Sequence, residues 1–323
     1  MRILFITSTR IGDAVLSSGL ISYLSDRHPD ARFTIVCGAP AAPLFEAVPR
    51  IEHLMAIRKR PLHGHWFALW AKCLPTRWDQ IYDLRGSILS WFLIARERVT
   101  GRYRNENMHR VDELADLAGI FPPPNPTLWL SNTACSAAAD LIPAEIPVLA
   151  VGPTANWGGK IWPADRFAEL VSRVIDPAGL LPGARVAVLG HEVERKLAAV
   201  LLDRIPTCQV IDLIGKPLSI AAACIKQCTM YIGNDSGLMH IAAASGTPTL
   251  GLFGPSSEAR YGPWGPMCAT VRTTESYKEL VGSPDFDHRN HQSLMRGLTV
   301  DAAHDALAKL YASVKYDKGR ESV

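Results

Sequence analysis

The strongest constraint in this chain is a rhythm: short apolar runs, each ending in a polar loop, alternate with helical stretches of about 10–15 residues. "RILFIT" (2–7), "RFTIVCG" (32–38) and "QIYDL" (80–84) read as strands, with "AVLSSGLISYLSDRH" as a helix between the first two. β-Branched and aromatic residues suit a pleated surface, and strands that alternate with helices form parallel βαβ units. The rhythm breaks at "FPPPNPTLWLSN" (121–132) and "LIPAEIPV", whose prolines are excluded from helix interiors and central strands. It resumes with "VLAVGP" (148–153), "RVAVLG" (185–190), "CQVIDL" (208–213), "TMYIG" (229–233) and "TPTLGLFG" (247–254). "WPADRFAELVSRVI" and "LSIAAACIKQC" supply intervening helices, and "TVDAAHDALAKLYASV" (299–314) reads as a closing amphipathic helix. The expected fold is α/β, with two Rossmann-like doubly wound parallel-sheet domains over 1–132 and 147–300. A linker over 133–146 joins them, and 301–323 is expected to pack back on the first domain. A chain of 323 residues suits two cores better than one.

A hydrophobic fraction of 48% with 20% charged residues excludes a disordered chain. The seven cysteines are odd in number and form no C-x-x-C pairs, which points to a reducing cytoplasm. Cys224 and Cys228, four apart on a helix, read as buried thiols rather than metal ligands. "MRILFITSTR" turns polar too early for a signal peptide, and the longest apolar run, "ILSWFLIA" (88–95), is far below the roughly 20 residues of a membrane span. The protein is therefore expected to be cytoplasmic, soluble or at most peripheral. The net charge is +3, yet "RKR" (58–60) and "RERVTGRYR" (96–104) concentrate cations in the first third. Such clusters are either a solvated face or a surface for an anionic partner.

In open parallel sheets ligands bind beyond the carboxyl ends of the strands, so the polar residues there are the candidates. "STRIGDAVLS" (8–17) brings Gly12 and Asp13 to a helix start, where Asp13 is either a first-turn acid favoured by the helix dipole or a functional carboxylate. It is no dinucleotide fingerprint, since G-x-G-x-x-G is missing there, and the chain holds no Walker A sequence. "VGPTANWGGKIWPADRF" (151–167) sets Thr154, a glycine pair and Lys160 in one loop, a phosphate cradle or an ordinary loop with a surface lysine. In "VLGHEVERKLA" (188–198), Glu192 or Glu194 is placed to accept from ribose hydroxyls, or merely to favour a helix start. "YIGNDSGLMH" (231–240) passes from strand to helix through Asp235, Ser236 and Gly237, with His240 one turn on. Unpaired N–H groups of a first helical turn hold anions, and His240 shares that face.

Taken together, "NDSGLMHIAAASGTPTLGLFGPSSEARYGPWG" closely resembles the C-terminal signature of glycosyltransferase family 9, the heptosyltransferases of lipopolysaccharide core assembly. "ILFITSTRIGDAVLSSGLI", "YDLRGSILS" and "KIWPADRFAEL" match further elements of that family, so the resemblance runs from residue 2 to about 300. Two departures are Ala155, where a hydroxyl is frequent in the family, and Ser293 in "SLM", where a cysteine is. The resemblance implies a GT-B architecture, with two Rossmann-like domains facing across a cleft, acceptor on the N-terminal side and nucleotide-sugar on the other. It implies inverting transfer with no cofactor and no obligatory metal. Asp13 would be the general base, with Gly12, Arg85, Ser87 and Ser90 holding an acidic acceptor. Thr154, Lys160, Glu192, Asp235, Ser236, Gly237 and His240 would hold the donor nucleotide and its diphosphate.

The implied partners are an ADP-heptose donor, a lipid-linked acidic glycan and the inner face of the cytoplasmic membrane, with no nucleic acid. "RKRPLHGHWFALWAKCL" (58–74), two tryptophans among cations, reads either as an interfacial membrane segment or as core aromatics. A metal-dependent transferase would use "DFD" (285–287) instead. A sugar-nucleotide epimerase or phosphorylase would need a second carboxylate, and an inactive nucleotide-binding protein would be expected to lack Asp13.

Overall fold

The computed structural model describes residues 1–58, 64–101, 105, 107–282 and 292–321. The chain divides into Met1–Ser131 and Asn132–Val323, each with its own sheet. The first unit carries strands β1 (Arg2–Ile6), β2 (Arg32–Gly38), β3 (Ile51–Ile57), β4 (Trp78–Asp83) and β5 (Ala95–Thr100). Its helices are α1 (Ile11–Leu16), α2 (Ser18–Arg27), α3 (Gly64–Cys73) and α4 (Arg110–Leu117). All strands are parallel, in the order β3-β2-β1-β4-β5. The helix expected over 14–28 is divided at Ser17, whose hydroxyl donates to the Ala14 carbonyl at 2.8 Å and lies 2.6 Å from the Thr7 hydroxyl. A serine that bonds the preceding turn competes with the helix ladder.

The second unit carries β6 (Val148–Gly152), β7 (Arg185–Val188), β8 (Val210–Asp212), β9 (Met230–Asn234), β10 (Thr249–Phe253) and β11 (Cys268–Arg272). Its helices are α5 (Asn132–Leu141), α6 (Ala164–Ile175), α7 (Arg195–Arg204), α8 (Leu218–Gln227), α9 (Gly237–Ala244), α10 (Glu258–Tyr261), α11 (Tyr277–Val281) and α12 (Val300–Glu321). The order is β11-β10-β9-β6-β7-β8, again wholly parallel. Both orders reverse beside the first strand of their sheet, between β1 and β4 and between β6 and β9. Those reversals make a crevice, because the flanking connections leave on opposite faces.

The expected linker contains structure of its own. The proline-rich stretch lies on the first unit, where the Thr127 amide donates to the Ser18 hydroxyl at 2.8 Å. A side chain at Gly19 would come 2.4 Å from the Pro124 carbonyl, so the close approach requires glycine there. Residues 132–141 then form α5, which packs against α8. The closing helix α12 packs on α6, β10 and β11 of its own unit.

Each unit buries its own apolar cluster. In the second, Leu149, Val151, Val186, Val188 and Ile232 meet Trp162, Phe167 and Leu170, and α12 adds Ala303 and Leu307. In the first, Ile3, Phe5, Phe33 and Ile35 meet Leu20, Ile21 and Leu24 on one side of the sheet. Leu4, Ile6, Val36 and Ile81 meet Leu69, Cys73, Leu89 and Leu93 in a separate cluster. The long runs of fully buried strand residues are those of a parallel sheet covered on both faces.

Candidate active site

In the first unit the loop after β1 carries Gly12 and Asp13 into α1, and the loop after β4 carries Arg85 and Ser87, so these residues share the β1–β4 reversal. Asp13 is half-buried in the first turn of α1, and its Oδ2 lies 3.5 Å from the Ser8 hydroxyl. The helix N-cap is Arg10, with no side-chain cap. The neighbouring loop is organised by Asp83, the fully buried last residue of β4. Its carboxylate accepts from the Arg85 amide at 3.1 Å, from the Ser87 amide at 3.0 Å and from the Ser87 hydroxyl. Arg85 lies over the Trp66 ring, 4.9 Å from its centroid. Ser90 is completely buried and gives its hydroxyl to the Ser87 carbonyl, so it supports this loop from beneath.

In the second unit the loops after β6 and β9 meet at the other reversal. Lys160 donates to Asp235 Oδ2 at 2.5 Å, and His240 Nε2 stands 4.0 Å from Asp235 Oδ1. Asp235 and His240 are buried and Lys160 is largely so, which strengthens every charge interaction among them. Lys160, Asp235 and His240 thus gather at the start of α9, with Lys160 held by the Asp235 carboxylate. Ser236, the N-cap of that helix, is extended (φ −148°, ψ 171°) and makes no side-chain cap bond, and Gly237 opens the first turn. First-turn N–H groups that no cap occupies are anion donors.

The loop bearing Lys160 is fastened at several points. The Trp162 amide donates to Asn234 Oδ1 at 3.0 Å, and the Trp162 indole donates to the Leu298 carbonyl at 3.0 Å. Ser293 donates to the Ile161 carbonyl at 2.6 Å, and the Leu294 amide to the Gly159 carbonyl at 3.0 Å. On the face of the sheet toward α9, Gly152, Gly233 and Gly251 stand in register across β6, β9 and β10. Side chains on this row would meet the Tyr231 hydroxyl at 2.0 Å from position 152 and 2.4 Å from 233, and Met239 at 2.5 Å from 251. The fully buried Tyr231 lies lengthwise over the first two glycines with its hydroxyl beside Ser236. Burial pushes its phenol well above the usual range, partly offset by Ser236, so it stays protonated.

The two glutamates after β7 part company. Glu194 accepts from the buried Thr154 hydroxyl at 2.8 Å and from the His191 amide at 3.0 Å. Glu192 turns to Arg195, 2.8 Å away, and that hydrogen bond holds its carboxyl below the usual range. Arg195 also pairs with Asp212 at 2.6 Å. Among the described residues no three His, Cys, Asp or Glu side chains gather as metal ligands. "DFD" (285–287) and parts of the basic stretches (59–63 and 102–104) lie outside the described residues. Sequence reasoning passed over Asp83 and Tyr231 as supports of these loops. A carboxylate closing a strand before Arg-Gly-Ser was a usable signal for Asp83; the glycine row under Tyr231 needs the strand register to be seen.

The sequence profile of glycosyltransferase family 9 (heptosyltransferase) matches residues 80–288, more than half of the chain. The chain belongs to glycosyltransferase family 9. Among curated relatives of this family 9 chain, lipopolysaccharide heptosyltransferase 2 of Escherichia coli K12 is 28% identical, over 91% of this chain and 94% of the relative. Among solved structures, E. coli ADP-heptose lps heptosyltransferase II superposes with a TM-score of 0.75 at 21% identity, over 98% of this chain and 100% of the other. A glycosyl transferase family 9 structure from Veillonella parvula gives 0.79 at 19% identity, over 97% of both chains. The fold is of GT-B type, like that of these structures, and by its family the chain is a glycosyltransferase.

Proposed function

We propose that this family 9 enzyme transfers heptose, with inversion, from ADP-heptose to a lipopolysaccharide core or related surface glycan. The observation that carries the reading is the Lys160–Asp235–His240 group at the uncapped start of α9. It is an arrangement for an anion that gains charge as it leaves. The names of the relatives, heptosyltransferases acting on lipopolysaccharide or lipooligosaccharide, support the choice of sugar and acceptor.

In this mechanism Asp13 accepts the proton of the acceptor hydroxyl as its oxygen attacks the anomeric carbon, and the bond from that carbon to the diphosphate oxygen breaks. The departing ADP is stabilised by Lys160, His240 and the first-turn amides of α9, fixed donors that do the work of a divalent ion. Of the two glutamates after β7, Glu194 is assigned to the ribose with Thr154, since their hydrogen bond joins it to the loop that carries Lys160, whereas Glu192 turns to Arg195. Arg85 and Ser87, on the loop held by Asp83, grip the acidic acceptor. The enzyme works in the cytoplasm, peripherally on the inner face of the membrane; no described helix is long and apolar enough to cross one.

The test is a thermal-shift series with ADP, UDP, GDP and CMP beside a transfer assay. A nucleotide at 100 times its Kd adds roughly 2.7 kcal/mol of stability, so the preferred base is easily seen. ADP should give the largest shift, and transfer should survive excess EDTA. Asp13→Asn should abolish transfer while leaving the ADP shift intact. Normal turnover by that variant would remove Asp13 from the mechanism, and a larger shift with UDP or GDP would move the assignment to another nucleotide-sugar.

A further inference from the structure

The longest apolar run of the chain, 88–95, is not hidden by folding. After β4 it forms a 3₁₀ turn, Ile88–Phe92, that sorts its side chains in two directions. Leu89 and Leu93 enter the cluster with Leu69, Cys73 and Trp78. Ile88, Trp91, Phe92 and Ile94 face solvent at 75%, 64%, 63% and 60% exposure, joined by Phe67 of α3 at 70%. The two elements touch, and the Trp70 indole donates to the Phe92 carbonyl at 3.2 Å. Arg98 braces the turn, donating to the Ser90 carbonyl at 2.8 Å and to the Leu93 carbonyl, with its guanidinium 5.9 Å from the Trp91 centroid. This is a braced surface rather than a loose loop. An exposed group of large apolar side chains held in place marks an interaction site.

Charge identifies the kind of partner. Ten basic and only three acidic residues lie between 58 and 104, which leaves 24 basic and 28 acidic for the rest of the chain. The stretch of sequence that carries this apolar group therefore holds the whole positive excess of the protein, and among its described residues Arg96 is 84% exposed beside the group. Aromatic rings flanked by arginine and lysine are the chemistry of the interface between lipid headgroups and acyl chains. A protein partner of ordinary composition would need no such excess, whereas an anionic bilayer attracts each nearby cation by about 1 kcal/mol.

We infer that the 3₁₀ turn Ile88–Phe92, Ile94 and the outer face of α3 form a docking surface for an anionic phospholipid bilayer, with Trp91 and Phe92 entering the headgroup layer. The choice of partner deepens the peripheral placement proposed above and rests on it; the surface itself stands on the exposure and charge just given. It overlaps the segment at 58–74 that the sequence singled out, through Phe67 and α3, and extends it to Ile88, Trp91, Phe92 and Ile94.

The full-length protein is sedimented with vesicles of phosphatidylcholine alone or with about one-third phosphatidylglycerol, and tryptophan emission is recorded. The wild type should pellet with the anionic vesicles and blue-shift, and should stay in solution with the neutral ones. Trp91→Ser/Phe92→Ser should lower partitioning at least about tenfold, and Arg96→Glu several-fold. Both variants should keep the wild-type melting temperature and ADP shift, which separates loss of docking from loss of fold. The inference is overturned if the wild type ignores anionic vesicles or if the double variant pellets like the wild type. It is equally overturned if light scattering shows a wild-type dimer that the double variant breaks without any vesicle binding, since a second copy would then cover the patch. Transfer to a soluble, delipidated acceptor is assayed in parallel. Absence of transfer with vesicle binding intact would sink the proposed function and leave the docking surface standing.

Discussion

Asp235 accepts from Lys160 at 2.5 Å with His240 4.0 Å away, so three polar side chains crowd together at the buried start of α9. Removing one member of such a group leaves the others wrongly charged in a dry setting. Lys160→Ala should therefore raise the Kd for ADP by an order of magnitude or more, and should destabilise the protein by about 1–3 kcal/mol. Calorimetric titration and urea unfolding read these separately; an unchanged Kd would exclude Lys160 from the anion site. A different kind of constraint acts at Gly152, where a methyl group would meet the Tyr231 hydroxyl at 2.0 Å. Gly152→Ala should cost about 1–3 kcal/mol by overpacking, and combining it with Tyr231→Phe should recover part of that loss. Additive effects in the double-mutant cycle would show that the two positions do not share space. The sequence displayed Asp235, Lys160 and His240 as a suggestive set because their chemistry is local and polar. It could not display Tyr231 as their support, since a tyrosine in an apolar run looks the same whether it covers glycines or other side chains.

At the scale of elements, strands and their polar ends were legible, whereas the parts that hold the loops were not. The runs at 2–7, 32–38 and 80–84 became β1, β2 and β4 because branched and aromatic residues there have a single outlet, the covered faces of a sheet. β3, with a mixed "IEHLMAI" sequence, and β5, "ARERVT", escape such a reading, since flanking positions let polar side chains reach water. The loop after β4 hangs on Asp83, which accepts the Arg85 and Ser87 amides. Asp83→Ala should leave those amides without acceptors and loosen the loop proposed to grip the acceptor. Hydrogen exchange at residues 85–87 should accelerate by at least about tenfold, while the amides of β1 keep their protection. Unchanged exchange would mean that the loop is held by its own turn geometry.

At the scale of the molecule, the pairing of two Rossmann-type sheets could be anticipated from the restart of the rhythm after the prolines. The division between Ser131 and Asn132 falls beside the expected end of the first domain at 132, but the structure on either side of it could not be anticipated. The prolines marked the connection, whereas the seat that Gly19 and Ser18 give the stretch on the first unit, and the helix α5 that opens the second, carry no such signal. Because each unit owns its sheet and its buried cluster, residues 132–323 produced alone should melt cooperatively and still shift with ADP. A fragment without a cooperative transition would show that the second core needs the first. Thiol chemistry offers a second global check. Burial pushes Cys37 up to about 12 and Cys73 and Cys224 up to about 11, while Cys135 and Cys208 are exposed. Mass spectrometry after brief alkylation of the folded protein should find Cys135 and Cys208 modified, with Cys37, Cys73 and Cys224 protected until denaturant is added.

The row of glycines beneath Tyr231 has a thermodynamic consequence for the bound nucleotide. A loop that had to fold around its ligand would bind with a large negative heat capacity change and an entropic penalty. Here the proposed anion site adjoins a sheet with a phenol laid along its glycine row, and the Lys160 loop is tied down through Asn234, Ser293 and Leu294. Little is left to order when the nucleotide arrives. Its binding should accordingly be driven by enthalpy, with a heat capacity change close to what burial of the nucleotide alone accounts for.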